Sequence, residues 1–152
     1  MYIVEHIDNF KIDNVYFLSS LENTVIDDGT FAKLVYSTPD ITINGVYLLC
    51  TFNNTSVEKI AYNKFKVSWS HDKNVKLIEQ LKNIEKSIMD KYGKAQYCTQ
   101  LSNFLDYHNF RIFSEENSLT SNNDFMLRIS GIWEKDNNTR GITYKFLDVH
   151  GI

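Results

Sequence analysis

The sequence has little cysteine, proline or glycine. Two cysteines, one proline and six glycines among 152 residues exclude a disulfide framework, a proline-rich linker and a glycine-rich tract. No run approaches the roughly 18 apolar residues that cross a bilayer, and the first residues lack the pattern of a signal peptide. We therefore expect a soluble, intracellular protein without a membrane partner, in which Cys50 and Cys98 are reduced, partly buried thiols.

Recognisable signatures of catalysis are also missing. The four histidines are scattered, and no glycine-rich phosphate loop, nucleophile elbow or cysteine–histidine signature is present. The adjacent acids Asp27–Asp28 and Glu115–Glu116 lie in polar stretches, where they are typical of solvated turns. We predict no catalytic residue, no metal and no cofactor, and a small hydrolase or nuclease is the least favoured function.

Length and composition predict one domain over residues 1–152, because 43% hydrophobic residues supply one sizeable core. Residues 1–30 hold six acids and one lysine, a net charge of 1 − 6 = −5, so this N-terminal segment is acidic. Residues 31–152 hold 15 bases and 13 acids, a net charge of 15 − 13 = +2. The asymmetry has two interpretations, an ordinary solvated surface or a functional polarity.

The usage of individual residues bears on the source. Lysine outnumbers arginine 13 to 3, and the chain contains 16 asparagines and 15 isoleucines. This bias is typical of an AT-rich coding sequence and points to a virus, a parasite or an AT-rich bacterium.

Hydrophobic periodicity predicts strands on both sides of a helix. Alternating or β-branched stretches predict strands within residues 30–37, 41–52, 57–70 and 109–113, with a bend or bulge at Gly45. Apolar residues that recur at steps of three and four predict an amphipathic helix over residues 72–92, which Gly93 ends. A shorter helix or loop is expected within residues 97–107.

The strongest pattern is a hairpin over residues 125–148. The alternation defines an expected register in which Trp133 faces Ile142, Gly131 faces Tyr144 and Ile129 faces Phe146. That register makes one face apolar throughout and lays a tyrosine ring over the strand glycine Gly131. Arg128 and Lys145 project from the opposite face.

The order of these elements predicts an α+β fold that is mainly β. We expect a single OB-like barrel with one long amphipathic helix between strands three and four. An α+β sandwich is the alternative, because helices between two runs of strands suit both architectures.

Two strings of the hairpin, LRISGIWE and GITYKFLD, and the earlier string KLVYSTPDITINGVYLL carry a resemblance. Together they resemble small single-stranded DNA-binding proteins of large DNA viruses, whose fold is of the OB type. The resemblance implies a replication or recombination protein that coats single strands in the host nucleus or at a cytoplasmic replication site. Such proteins often end in an acidic tail that recruits partners, whereas this chain ends in DVHGI, so tail-mediated recruitment is not expected.

Single-strand binders need cations that follow the phosphates and rings on which bases stack. The candidate residues are Lys33, Tyr36, Tyr47, Tyr62, Lys64, Lys66, Arg111, Arg128 and Lys145. The competing interpretation is that outward lysines only keep a sheet soluble and discourage edge pairing. Clustering of the cations in one groove would decide between the two.

We therefore predict a sequence-nonspecific single-stranded DNA-binding protein. RNA as the ligand and a homo-oligomeric state stay open. The alternative function is a virion structural or protein-interaction module that binds no nucleic acid and uses an exposed sheet edge or the same aromatic face.

Overall fold

The structure is a computed structural model that describes residues 4–18, 21–23, 29–93, 96–135 and 139–149. The described residues form eleven strands and two α-helices. The strands are β1 (Glu5–His6), β2 (Val15–Phe17), β3 (Leu21–Asn23), β4 (Gly29–Ser37), β5 (Thr42–Asn44), β6 (Val46–Thr51), β7 (Thr55–Ala61), β8 (Lys64–Trp69), β9 (Asn109–Phe113), β10 (Asp124–Lys135) and β11 (Thr139–Asp148). The helices are α1 (Val75–Tyr92) and α2 (Gln100–Leu105).

Strand β10 is the centre of the larger sheet. One edge of β10 pairs along its whole length with β11, and the other edge pairs first with β6 and then with β4. The short strands β2, β3 and β5 extend the sheet from β4, and β1 adds to β6 in parallel. The predicted C-terminal hairpin is therefore present and organises this sheet.

Strand β10 exchanges β6 for β4 as its neighbour close to two glycines, Gly45 and Gly131. Gly45 separates β5 from β6 at φ 76°, and its N–H donates to the Leu34 carbonyl at 2.6 Å. Gly131 begins the part of β10 that pairs with β4, and a bulge lies between Ile129 and Gly131. The bend predicted at Gly45 is confirmed.

The predicted register of the hairpin is wrong. The structure pairs Ile129 with Tyr144 and, beyond the bulge, Gly131 with Thr143 and Trp133 with Gly141. A ring does cover a strand glycine, but the pair is Trp133 over Gly141, whose added Cβ would lie 3.1 Å from the indole. The predicted partner is off by two residues at Ile129, where Phe146 was expected, and by one at Gly131, where Tyr144 was expected, so the bulge between them accounts for one residue of the difference. The tip residues 136–138 of the predicted turn lie outside the described residues.

A second sheet contains β7, β8 and β9, with β8 in the middle. The strand predicted within residues 57–70 is present as β8, and the same range also holds most of β7, which is joined to β8 at Tyr62 and Asn63. Phe65, Val67 and Trp69 point into the core, as their alternation predicts. The two sheets meet inside the protein, where the rings of Phe110 on β9 and Phe146 on β11 stack with centroids 4.2 Å apart.

Helix α1 packs an apolar stripe into the core. The residues of the stripe are buried and include Leu77, Leu81, Ile84 and Ile88. The helix ends at Gly93, whose φ of 87° is the left-handed conformation that glycine adopts most easily. The predicted helix is confirmed, although it begins at Val75 rather than at residue 72.

The α+β, mainly β class is confirmed. The predicted strand count is wrong, because eight strands rather than three precede α1 in the described chain. The strands are divided between two sheets, so a single OB-like barrel stays a prediction. Residues 1–3, 19–20 and 24–28 of the acidic segment 1–30, including the predicted turn at Asp27–Asp28, lie outside the described residues.

Candidate nucleic-acid interface

Four of the predicted cations lie in one row across the outer surface. On the smaller sheet, Lys66 of β8 lies directly opposite Arg111 of β9. On the larger sheet, Lys145 of β11 lies opposite Arg128 of β10, which in turn lies opposite Tyr47 of β6. Directly opposed residues in antiparallel strands project from the same face, so each sheet contributes one segment of the row.

The two segments meet where β9 runs beside β11. A cavity of about 340 Å³ opens there, and both Arg111 and Lys145 line it. The row therefore continues from one sheet to the other as Lys66, Arg111, Lys145 and Arg128. We call these four side chains the cationic row. The strand order and pairing bring them together although they come from four separate strands.

The members of the cationic row form no ion pair with another described residue. Among the described residues, no carboxylate lies within the 4.0 Å of a salt bridge from any of its four members. Glu58 of β7 lies opposite Lys66 and lowers the potential at that end. Arg111, Arg128 and Lys145 are exposed to solvent, and Lys66 is half-buried.

Aromatic side chains flank the cationic row. The guanidinium of Arg128 lies 5.6 Å from the centroid of the Tyr47 ring, within the range of a cation–π contact. Phe104 of α2 is 58% exposed and lines the cavity between β9 and β11, and Phe113 of β9 is 48% exposed. The faces of exposed phenylalanine rings are suited to stacking on bases.

Phe104 and Phe113 were absent from the residues predicted from sequence. The alternation in β9 contains a signal for Phe113, because Phe110 and Ile112 point inward and leave Arg111 and Phe113 outside. No comparable signal exists for Phe104, since α2 has only six residues and its apolar spacing resembles that of a core helix.

The structure places the remaining predicted residues differently. Lys64 lies opposite Phe113, two residues from Lys66 on the same outer face, and extends the cationic row sideways. Lys33 lies opposite Gly131 on the larger sheet and is exposed, but it is beyond the bulge. Tyr62 is 75% exposed at the tip of the β7–β8 hairpin, where Lys59 Nζ lies 5.9 Å from its ring centroid.

Tyr36 is a correction to the predicted set. Its ring is only 3% exposed and stacks on Phe10 with centroids 5.8 Å apart. Its hydroxyl accepts hydrogen bonds from the Lys11 N–H at 3.0 Å and from Asn14 Nδ2 at 3.4 Å. A base cannot stack on a ring that is packed in this way, so Tyr36 is a core residue.

A second cavity, of about 320 Å³, adjoins the first and differs from it in charge. Arg128 and Lys145 line it, but so do three acids, Glu115, Glu116 and Asp148. The Asp148 carboxylate accepts hydrogen bonds from the Thr120 N–H and hydroxyl at 3.0–3.1 Å, which anchors the loop between β9 and β10. These carboxylates disfavour a phosphate in the second cavity and limit the cationic row at this end.

A buried acid sets the position of α2 and hence of Phe104. Glu85 of α1 is fully buried, and its carboxylate accepts the N–H groups of Leu101 and Ser102, both at 3.0 Å. The same carboxylate accepts the Ser102 hydroxyl at 2.5 Å. These are first-turn donors without partners inside the helix, so Glu85 satisfies α2 as a capping residue would.

The Glu85 carboxylate also affects Tyr144, which lines the cavity between β9 and β11. Burial and, secondarily, this negative charge raise the pKa of Tyr144 to about 12. The phenol is therefore protonated and remains a hydrogen-bond donor at any physiological pH.

Replacement of Tyr144 by phenylalanine should reduce the alkaline sensitivity of the fold. Tyrosine ionises near pH 10 in an unfolded chain but near 12 in this fold, so unfolding releases a proton as the pH rises between these values. The wild type should therefore lose part of its free energy of unfolding as the pH rises from 10 to 12. Tyr144→Phe cannot ionise at this position and should retain that part. Urea denaturation at pH 9 and pH 11 measures the difference. The exposed-ring control Tyr62→Phe should lose as much as the wild type, and an equal loss in all three proteins contradicts the assignment.

No three histidine, cysteine, aspartate or glutamate side chains in the described part of the chain converge to hold a metal ion. The His71 and His108 rings stack with centroids 5.0 Å apart. Cys50 and Cys98 are free thiols, and burial raises the pKa of Cys50 to about 12, which keeps it protonated and unreactive. No helix in the described ranges is both long and apolar enough to cross a bilayer.

Comparison with known proteins supplies no functional evidence, so the function has to be inferred from the surface of this protein. No protein-family model, curated protein or solved structure matches this chain. The function is accordingly inferred from the cationic row, its neighbouring rings and the cavity between β9 and β11.

Proposed function

We propose that this protein binds single-stranded DNA without sequence preference through the cationic row. One observation carries the proposal: strand pairing places Lys66 opposite Arg111 and Lys145 opposite Arg128, and Arg111 and Lys145 line one cavity between the two pairs. An anionic polymer that lies across the strands would contact all four in succession. Solubility alone does not require such an alignment, because it needs only dispersed charges.

The chemistry of the surface suits a single strand rather than a protein. Phosphates bind the cations, and the exposed rings of Phe104 and Phe113 offer faces on which unpaired bases stack. Stacking does not distinguish one base from another, since every base has a π-face. The proposed binding is therefore nonspecific, as a strand-coating protein in viral-type replication or recombination requires.

We further propose that the fold is a distorted relative of the OB barrel. Support comes from the way β4, the bent pair β5–β6 and β10 exchange neighbours around Gly45 and Gly131, since strongly coiled sheets bend at such glycines. Helix α1 lies between the two runs of strands, as in the OB order. The separate β7–β8–β9 sheet is the main departure.

The salt dependence of binding tests the proposed function. Each neutralised phosphate on a single strand contributes about −0.7 to the slope of log Kobs against log salt, so four cations predict a slope of about −3. The measurement is a fluorescence titration of labelled oligo-dT from low to moderate salt. Oligo-U and a duplex of the same length establish the preference for DNA and for single strands. No binding at low salt ends the proposal.

A double replacement shows which surface binds. Arg111→Gln with Lys145→Gln removes two members of the cationic row and should weaken oligo-dT binding by about 10- to 100-fold at low salt. The slope should become shallower by about 1.4, two phosphates at 0.7 each. The matched control is Lys73→Gln with Lys76→Gln, two exposed lysines near the start of α1 that line a different cavity. Equal effects of the two pairs would assign binding to general charge.

The alternative of a protein-interaction module predicts association through an open sheet edge. The β7 edge contains a bulge between Lys59 and Ala61 and the charged side chains of Glu58 and Lys59. Bulges and charges are the devices by which natural sheets prevent edge-to-edge pairing, so this edge is protected. Light scattering without nucleic acid should show no large stable oligomer if single-strand binding is the function.

A further inference from the structure

We propose that the cavity between β9 and β11 is a subsite that takes one nucleobase out of the bound strand. This inference rests on the proposed single-strand binding and adds a specific place where the strand is held. The cavity interrupts the cationic row between Arg111 and Lys145. A strand that follows the cationic row must therefore cross its mouth.

The walls of the cavity are suited to an aromatic guest. Its deepest residues are buried, namely Leu105, Phe110 and Phe146, and the last two stack on each other. The exposed ring of Phe104 forms an outer wall that a base can contact face to face. Apolar rings with a few polar groups are the usual lining of a site for a flat organic ligand.

The size of the cavity favours one base over a peptide strand. Its volume of about 340 Å³ is near the lower end of the roughly 300–1,000 Å³ that is typical of small-ligand sites. The buried, stacked rings of Phe110 and Phe146 close its inner end, so the cavity has room for one ring system rather than for an extended chain.

The charge of the lining admits a phosphate at the mouth. Arg111 and Lys145 are the two charged residues that line this cavity, and both are cationic. The neighbouring cavity shares Lys145 but adds Glu115, Glu116 and Asp148, which repel a phosphate. Of the two cavities, only the one between β9 and β11 combines aromatic walls with a wholly positive rim.

Two polar groups can meet the edge of the base. Asn109 donates through Nδ2 to the Tyr107 carbonyl at 2.9 Å, so its Oδ1 remains as an acceptor. The Tyr144 phenol is a donor. One acceptor and one donor can therefore hydrogen-bond to the polar edge of a bound base.

Oligo-dT with a single 2-aminopurine tests the subsite, because the fluorescence of this base is quenched when it stacks on a ring. The wild-type protein should quench a substantial part of the signal at one or more positions along the oligonucleotide. Phe104→Ala removes the outer wall and should abolish that quenching and raise Kd about tenfold. Phe104 is largely exposed, so this variant should fold, which circular dichroism checks.

The matched control is Tyr107→Ala. Tyr107 is 73% exposed and lies beside Phe104, with ring centroids 6.5 Å apart, but it does not line the cavity. This variant should bind and quench as the wild type does. The subsite proposal is wrong if the wild type binds the oligonucleotide without quenching, or if Phe104→Ala and Tyr107→Ala lose the quenching equally. Binding through the cationic row is not affected by either result. If the wild type does not bind oligo-dT, both proposals fail.

Discussion

Replacement of Gly131 by alanine is expected to destabilise the protein by about 3–5 kcal/mol, a large fraction of the roughly 5–15 kcal/mol by which native domains are stable. An added Cβ would lie 2.2 Å from the Ala32 carbonyl oxygen and 2.8 Å from the Phe31 ring. The first of these atoms belongs to the paired backbone of β4 and cannot rotate away. The methyl group would therefore force β4 and β10 apart at the point where β10 changes partner.

Urea denaturation measures this loss, and Gly93→Ala is the matched control. An added Cβ at Gly93 meets nothing closer than 3.8 Å, so only its positive φ opposes the substitution. That conformation costs about 1–2 kcal/mol for a residue with a side chain. Gly131→Ala should thus be clearly worse than Gly93→Ala. A smaller loss at Gly131 would show that β4 does not approach β10 as closely as described.

Replacement of Glu85 by alanine is the second large expected effect, about 2–4 kcal/mol of lost stability. The substitution leaves the N–H groups of Leu101 and Ser102 without their acceptor in a buried site. It also opens a void beneath α2. Because α2 contains Phe104, the same change should reduce quenching of 2-aminopurine in whatever protein remains folded.

Two further variants distinguish the loss of the Glu85 hydrogen bonds from the loss of its charge and from a general effect of replacing an acid on α1. Glu85→Gln keeps one carbonyl acceptor and should lose less stability than Glu85→Ala, since part of the hydrogen bonding survives. Glu79→Ala changes an exposed acid on the same helix and should alter stability by no more than about 0.5 kcal/mol. Thermal and urea unfolding measure all three. Equal losses for Glu85→Ala and Glu79→Ala would mean that the buried carboxylate does not hold α2.

Local patterns were sufficient wherever a strand or helix kept the same neighbours along its length. The apolar spacing over α1 predicted its buried stripe, and the alternation over β8 predicted that Phe65, Val67 and Trp69 point inward. The C-terminal hairpin was predicted from the same kind of signal. In each case the side-chain period is a property of the element itself.

The same reasoning failed at the bulge in β10. Beyond Gly131 the faces are exchanged, so Glu134 is buried with Arg140, 3.5 Å away, and Trp133 is half-buried over Gly141. The bulge occurs where β4 replaces β6 as the neighbour of β10, roughly 80 to 100 residues away in sequence. A window of ten residues contains no information about that exchange. Tyr36 was misassigned for a related reason, because Phe10 and Lys11 cover it from a distant segment.

The amino-acid sequence by itself determined the mainly β class, the amphipathic helix, the faces of the simple strands and the identity of the cations. Only the tertiary structure decided that Lys66, Arg111, Lys145 and Arg128 stand in one row and that Phe104 borders a cavity within it. The physical reason is that side-chain alternation is encoded locally. The relative position of two sheets, by contrast, is set by core contacts such as Phe110 on Phe146 between residues far apart in the chain.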